Sequence, residues 1–150
     1  MNKLFVLLLL LAANFAHAFN IGDSVPRFEI TDQFDQVHTI KADTKNIIVA
    51  GDKDASSIIR DFLLAQNKGF LAAHQAYYVA DISGMPSLIS KFFALPKMRK
   101  YPFLILLLDD TNKDKFSKKE DHITVYTVSE GKISEVKYIK TATELAAVFE

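Results

Sequence analysis

Phe103-Leu104-Ile105-Leu106-Leu107-Leu108 is an unbroken apolar run, closed by Pro102 on one side and by Asp109-Asp110 on the other. It is too short for a buried helix, and both flanks break helices. It therefore reads as a strand covered on both faces, at the centre of a sheet. Such a strand needs neighbours. Ile47-Ile48-Val49-Ala50 is a second short, mostly β-branched run, and Tyr77-Tyr78-Val79-Ala80-Asp81-Ile82 is a third.

Helical patterns separate these runs. After Ala50 comes a polar stretch, Gly51-Asp52-Lys53-Asp54, in which Asp54 is placed to cap a helix. Ile58, Ile59, Phe62 and Leu63 then recur at the helical period until Gly69 ends the pattern. Ser83-Gly84-Met85-Pro86 turns into a second helix, with Pro86 tolerated in its first turn. Leu88, Ile89, Phe92, Phe93 and Leu95 are spaced as its buried stripe, and Pro96 is expected to end or kink it. Phe28-Glu29-Ile30-Thr31 and Val37-His38-Thr39-Ile40 alternate around a turn, as do residues 123–128 and 133–139, so each pair predicts a hairpin. Residues 109–121 read as a solvated charged loop. Thr141 or Thr143 starts a last helix carrying Leu145, Val148 and Phe149. Strand–helix–strand alternation requires parallel pairing and a crossover. The expected class is therefore α/β: a mixed central sheet with an N-terminal hairpin and helices on both faces.

The N-terminus follows a different logic. Lys3 gives a positive start, Leu4 to Ala13 is apolar and uncharged, and Ala16-His17-Ala18 offers small residues at −3 and −1. This is the order of a secretory signal peptide, with the cut placed after Ala18. The apolar run is shorter than the roughly 20 residues that cross a bilayer, so a cleaved leader is preferred to a retained anchor. Residues 19–150 then form one domain. Removing Lys3 from a balance of 18 basic and 18 acidic residues leaves a net charge of about −1, which gives no electrostatic reason to expect nucleic acid or an anionic membrane. The chain has no cysteine, which removes disulfides, thiolate nucleophiles and cysteine metal sites together.

The element order, with the Tyr101-Pro102 junction, resembles the thioredoxin-like superfamily. Ile21-Gly22-Asp23-Ser24-Val25-Pro26-Arg27-Phe28 and the following Asp32-Gln33-Phe34-Asp35-Gln36-Val37-His38 resemble the opening hairpin of its peroxiredoxin and exported thiol-reductase branch. The resemblance implies a three-layer α/β/α sandwich. It also implies a cis bond before Pro102, which precedes the third central strand. In active members the redox cysteines stand after the first central strand. Here that place holds Gly51-Asp52-Lys53-Asp54-Ala55-Ser56-Ser57. Serine cannot replace a thiolate in disulfide exchange, so oxidoreductase and peroxidase activity are not carried over.

Asp52, Asp54, Ser56 and Ser57 fall where the family keeps its active site. A helix N-terminus there favours an anion, but two aspartates already complement the dipole, which favours a cap and a solvated first turn. Tyr101 and Pro102 would lie beside this surface. They either offer an edge to an extended peptide by strand addition or form a buried turn. Asp110-Thr111-Asn112-Lys113-Asp114 begins like a calcium loop, but Lys115 stands where glycine is needed and Asp121 replaces the bidentate glutamate. His38, His74 and His122 lack ligand spacing, and neither a nucleophile elbow nor a phosphate loop is present. Phe92-Phe93 and Tyr77-Tyr78 are expected in the core. The reading is a redox-inactive, exported thioredoxin-like domain of the bacterial cell envelope that binds a protein or peptide, without cofactor, metal or catalytic residue. The alternative is a non-thiol enzyme or a small-molecule or metal carrier on the same fold.

Overall fold

The structure is a computed structural model that describes residues 18–25 and 29–150. The leader expected over residues 1–18 lies, apart from Ala18, outside the described residues, as do Pro26, Arg27 and Phe28. Among the described residues no helix is long and apolar enough to cross a membrane.

The three apolar runs form adjacent strands. β3 (Asn46–Ala50) pairs in parallel with β4 (Ala76–Asp81), and β4 in parallel with β5 (Leu106–Leu108). β1 (Glu29–Asp32) and β2 (Val37–Thr39) form the expected hairpin, with β1 antiparallel to β5. On the other side β6 (Ile123–Ser129) runs antiparallel to β3 and turns into β7 (Lys132–Ile139). The sheet order is β2-β1-β5-β4-β3-β6-β7.

Period-two alternation sends the central side chains to two faces. Ile48, Ala50, Tyr78, Ala80, Ile123 and Val125 meet α1 (Lys53–Leu64), α2 (Phe70–Ala73) and α5 (Ala142–Val148) through Ile59, Leu63, Leu71 and Leu145. The capping hydroxyl of α5 belongs to Thr141, which accepts from the Glu144 N–H. Ile47, Val49, Val79, Leu106, Leu108 and Tyr126 fill the other face. Val25, Ile40 and Phe116 pack against them. That third layer is thin, made of opening chain and the stretch around a single 3₁₀ turn, Lys113–Lys115. Phe116 is fully buried, so the 109–121 segment is not simply solvated.

Three expectations change. The strand over residues 103–108 is shortened to its last three residues. Beyond β1's end, the side chain of Gln33 takes over the pairing. Its Nε2 donates to the Phe103 carbonyl (2.8 Å) and its Oε1 accepts from the Ile105 N–H (2.9 Å). Arg99 Nε in turn donates to the Gln33 carbonyl (2.7 Å). Second, the bond before Pro102 is trans, as are all described peptide bonds. Third, the 87–98 helix does not stop at Pro96. It runs as α3 (Ser87–Ile89), a π-helical turn (Ser90–Ala94) and α4 (Leu95–Met98), with the Leu95 N–H donating to the Ser90 carbonyl. Pro96 has no N–H to give to the preceding turn, and the widened turn accommodates it. Of the expected buried stripe only Leu95 packs on the core, joined there by Met98, while Leu88, Ile89, Phe92 and Phe93 point to solvent. Tyr78 is in the core as expected.

Candidate functional site at the end of the central strands

β3 ends at Ala50 and the chain must turn into α1 within two residues. Gly51 makes that turn beneath the methylenes of Lys118, where an added Cβ would meet Lys118 Cβ at 3.0 Å. Asp52, not Asp54, is the N-cap. It is extended (φ −150°), and its Oδ1 accepts from the Ala55 N–H (2.9 Å). Its second oxygen accepts from the Asp121 N–H (2.7 Å), so the carboxylate ties the helix start to the end of the 109–121 loop. Asp54 lies one turn-position further on, exposed, within the first turn.

Lys118 closes the same corner. Its ammonium donates to Asp81 Oδ2 (2.6 Å) and to the Lys113 carbonyl (2.6 Å), while Asp81 Oδ1 accepts from the Ser83 N–H (2.9 Å). Burial alone would raise the Asp81 carboxyl, but its bonds to Lys118 and Ser83 bring it below its ordinary value. A folded pKa that is depressed means stability present above the normal carboxylate range and lost as pH falls through the folded value. Lys118→Met is therefore expected to cost about 1–3 kcal/mol at neutral pH, because the largely buried Asp81 charge loses its partner. The deficit should shrink toward acid pH as Asp81 protonates. Urea midpoints of both proteins at neutral pH and near pH 3 check this, and a pH-independent difference would contradict it.

Behind this corner opens a cavity of about 510 Å³. α1 contributes Ser56, Ser57 and Arg60, which share one helical face. The sheet contributes Tyr78, Ala80 and Asp81. Met85, Ala94, Lys97 and Met98 form the opposite wall, with Tyr101 and Phe103 at one end. Tyr101 and Phe103 stack with ring centroids 5.3 Å apart, and the Arg60 guanidinium, bonded to Asp61 (3.0 Å), lies near the Tyr101 hydroxyl. The Tyr78 hydroxyl is pushed up to about 12 by burial, against the opposing effect of the nearby Ser56 hydroxyl. The cavity is thus a mainly apolar trough whose lining also carries hydroxyls, cations and the carboxylates of Asp52 and Asp81.

Of the six residues singled out from sequence, Asp52, Ser56, Ser57 and Tyr101 line this cavity. Asp54 does not. Pro102 lines a separate shallow groove with residues of the α1–α2 turn. Neither Tyr101 nor Pro102 offers a strand edge, because they precede β5 and β5 is paired on both sides with β1 and β4. Arg60, Met85, Lys97 and Met98 were not foreseen. Arg60 alone had a signal, lying four residues after Ser56 on the same helix.

The hydroxyls here are not set up as nucleophiles. Ser57 Oγ donates to the Lys53 carbonyl (2.9 Å), and no histidine lines the cavity. His38 Nε2 lies 2.5 Å from Asp32 Oδ2 at the hairpin, His74 Nδ1 2.8 Å from the Phe70 carbonyl, and His122 Nδ1 2.7 Å from the Glu120 carbonyl. Among the described residues no three histidine, aspartate or glutamate side chains gather as a metal site.

No protein-family model matches the sequence, and no curated protein sequence matches it. Solved structures do match the fold. A peroxiredoxin-like protein from Aquifex aeolicus has a TM-score of 0.52 at 13% identity, covering 87% of this chain and 85% of that one. The thioredoxin domain of a thiol-disulfide oxidoreductase from Bacteroides vulgatus has a TM-score of 0.50 at 14% identity, covering 89% and 100%. A peroxidoxin from Mycobacterium tuberculosis has a TM-score of 0.50 at 14% identity, covering 87% and 94%. The fold is thioredoxin-like. In this thioredoxin-like chain the β3–α1 junction carries an aspartate cap and a lysine clamp, and no cysteine occurs anywhere in the sequence.

Proposed function

We propose that this chain is an exported, redox-inactive thioredoxin-like module of the bacterial cell envelope that holds a protein or peptide segment in the cavity beside the β3–α1 junction. The observation that carries the reading is the pairing of a thiol-free junction with an open, apolar trough directly behind it. Asp52, Asp81 and Lys118 are engaged with one another's loops, so they act as structure. Met98 and Tyr101, with Ser57 bonded to the Lys53 carbonyl and Arg60 paired with Asp61 (3.0 Å), form the walls that would receive a side chain or two of a partner. Strand addition is not the mode, since the central strands leave no free edge at this end. Pocket filling by apolar side chains, with a polar or acidic group at the Arg60 rim, is.

Two measurements test this. A photo-reactive benzophenone side chain placed at Tyr101 or Ser57 should yield an envelope-protein adduct that the same group at Lys137, on the outer strand β7, does not. Equal adducts from all three positions would sink the site. The protein recovered from the periplasm should begin at Phe19, and it should reduce a disulfide or a peroxide no faster than buffer does. The alternative, a carrier of a small molecule in the same cavity, predicts instead a stoichiometric mass increment under non-denaturing mass spectrometry.

A further inference from the structure

The 87–98 helix presents its large apolar side chains to water. None of its residues is buried. Leu88 and Phe93 are 69% exposed, Phe92 61% and Ile89 47%. Their spacing, i, i+1, i+4, i+5, places them on one stripe opposite the Leu95 and Met98 contacts. An aromatic and aliphatic stripe of this kind marks an interaction surface.

Charge says what covers it. The whole chain balances 18 basic against 18 acidic residues, yet from Ile82 to Leu108 it carries Lys91, Lys97, Arg99 and Lys100 and no acidic residue. All four are exposed. Lys91 and Lys97 flank the stripe on either side by helical spacing, and the Lys91 ammonium lies 5.7 Å from the Phe92 ring centroid. A second copy docking on this face would bring two sets of cations together, which opposes self-association. A bilayer with anionic headgroups supplies both complements, acyl chains beneath the stripe and phosphates around it.

We propose that the 87–98 helix docks the protein flat on a membrane surface rich in anionic lipid, lying in the interface without spanning it. Leu88, Phe92 and Phe93 do not line the cavity behind α1, so this docking and the peptide site can fail separately.

The test is co-sedimentation with vesicles, using the chain from Phe19 onward, which contains every described element of the fold. The protein should bind vesicles of equal parts phosphatidylglycerol and phosphatidylcholine, bind pure phosphatidylcholine weakly, and release as salt is raised. Phe92→Ser with Phe93→Ser should weaken binding by about tenfold or more, because two aromatic side chains leave the acyl boundary. Replacing Lys91 and Lys100 with glutamine should cost about thirtyfold at low salt, and it spares Lys97, which lines the cavity, and Arg99, which holds the Gln33 carbonyl. Both variants should melt with the wild type, since the altered side chains are exposed. Absence of binding to the anionic vesicles would overturn the proposal, as would binding that both variants retain. A wild-type dimer dissolved by the phenylalanine substitutions would also overturn it, assigning the face to self-association.

Discussion

Phe116→Ala should destabilise the fold by about 3–5 kcal/mol, read as a lower urea midpoint with little change in slope. The ring is fully buried and lies edge-on to Phe19 (5.1 Å) and to Tyr126 (5.4 Å). It is the largest side chain that the 109–121 segment sends beneath the sheet. This layer has no long helix, so few other groups can close the gap. The same loop holds the C-terminal ends of β3 and β4 through Lys118 and Asp121, which clamp Asp81 and Asp52. Loosening Phe116 should therefore also increase hydrogen exchange at the Ala55 and Asp121 amides. A loss under about 1 kcal/mol would show that the thin layer contributes little to stability, contrary to this account.

Gln33→Ala should cost about 2–4 kcal/mol, because it leaves the buried Ile105 N–H and the partly buried Phe103 carbonyl unpaired at once. The Gln33 side chain is fully buried and bridges the Phe103 carbonyl and the Ile105 N–H, doing for residues 103–105 what a neighbouring strand does for β5. The turn that aims it is built by Asp32, whose Oδ1 accepts from the Phe34 (2.7 Å) and Gln36 (3.0 Å) N–H groups. Burial pushes the Asp32 carboxyl up, but the His38 bond and these two amides hold it below its ordinary value. The turn should thus be fully formed above the normal carboxylate range and loosen as pH falls through the lowered value. Because Phe103 and Tyr101 form one end of the cavity, Gln33→Ala should disturb that end as well. Amide exchange at Ile105 and a urea titration measure both effects. An unchanged midpoint would mean that the 103–105 segment is held by packing alone.

Much of the fold could be read from the chain because its central strands are short apolar runs with clear breakers, and its hairpins alternate cleanly around polar turns. The 87–98 helix was legible as a helix but not in its orientation. It is apolar around most of its circumference, so periodicity does not say that Leu95 and Met98 are buried while Phe92 and Phe93 are not. Phe116 was hidden for the opposite reason, as one ring in a charged segment with no period at all. Asp52 and Asp54 both precede the same helix. Only the positions of Ala55 and Asp121 in space choose between them. Gln33 pairs with residues 70 and 72 positions away, a contact that no local pattern encodes. The candidate site divides along the same line. Ser56, Ser57 and Tyr101 were legible from helical spacing and family resemblance. Lys97 and Met98 sit on the helix whose orientation was not legible, and Met85 in the turn that leads into it.

The thiol-free trough is the centre of this account, and a selected ligand interrogates it most directly. Linear peptides enriched from a random library against residues 19–150 should bind the wild-type domain and lose about tenfold or more in affinity for Ser57→Trp, whose indole would occupy the trough from the α1 wall. Peptides that bind Ser57→Trp as tightly as wild type would place recognition elsewhere and contradict it.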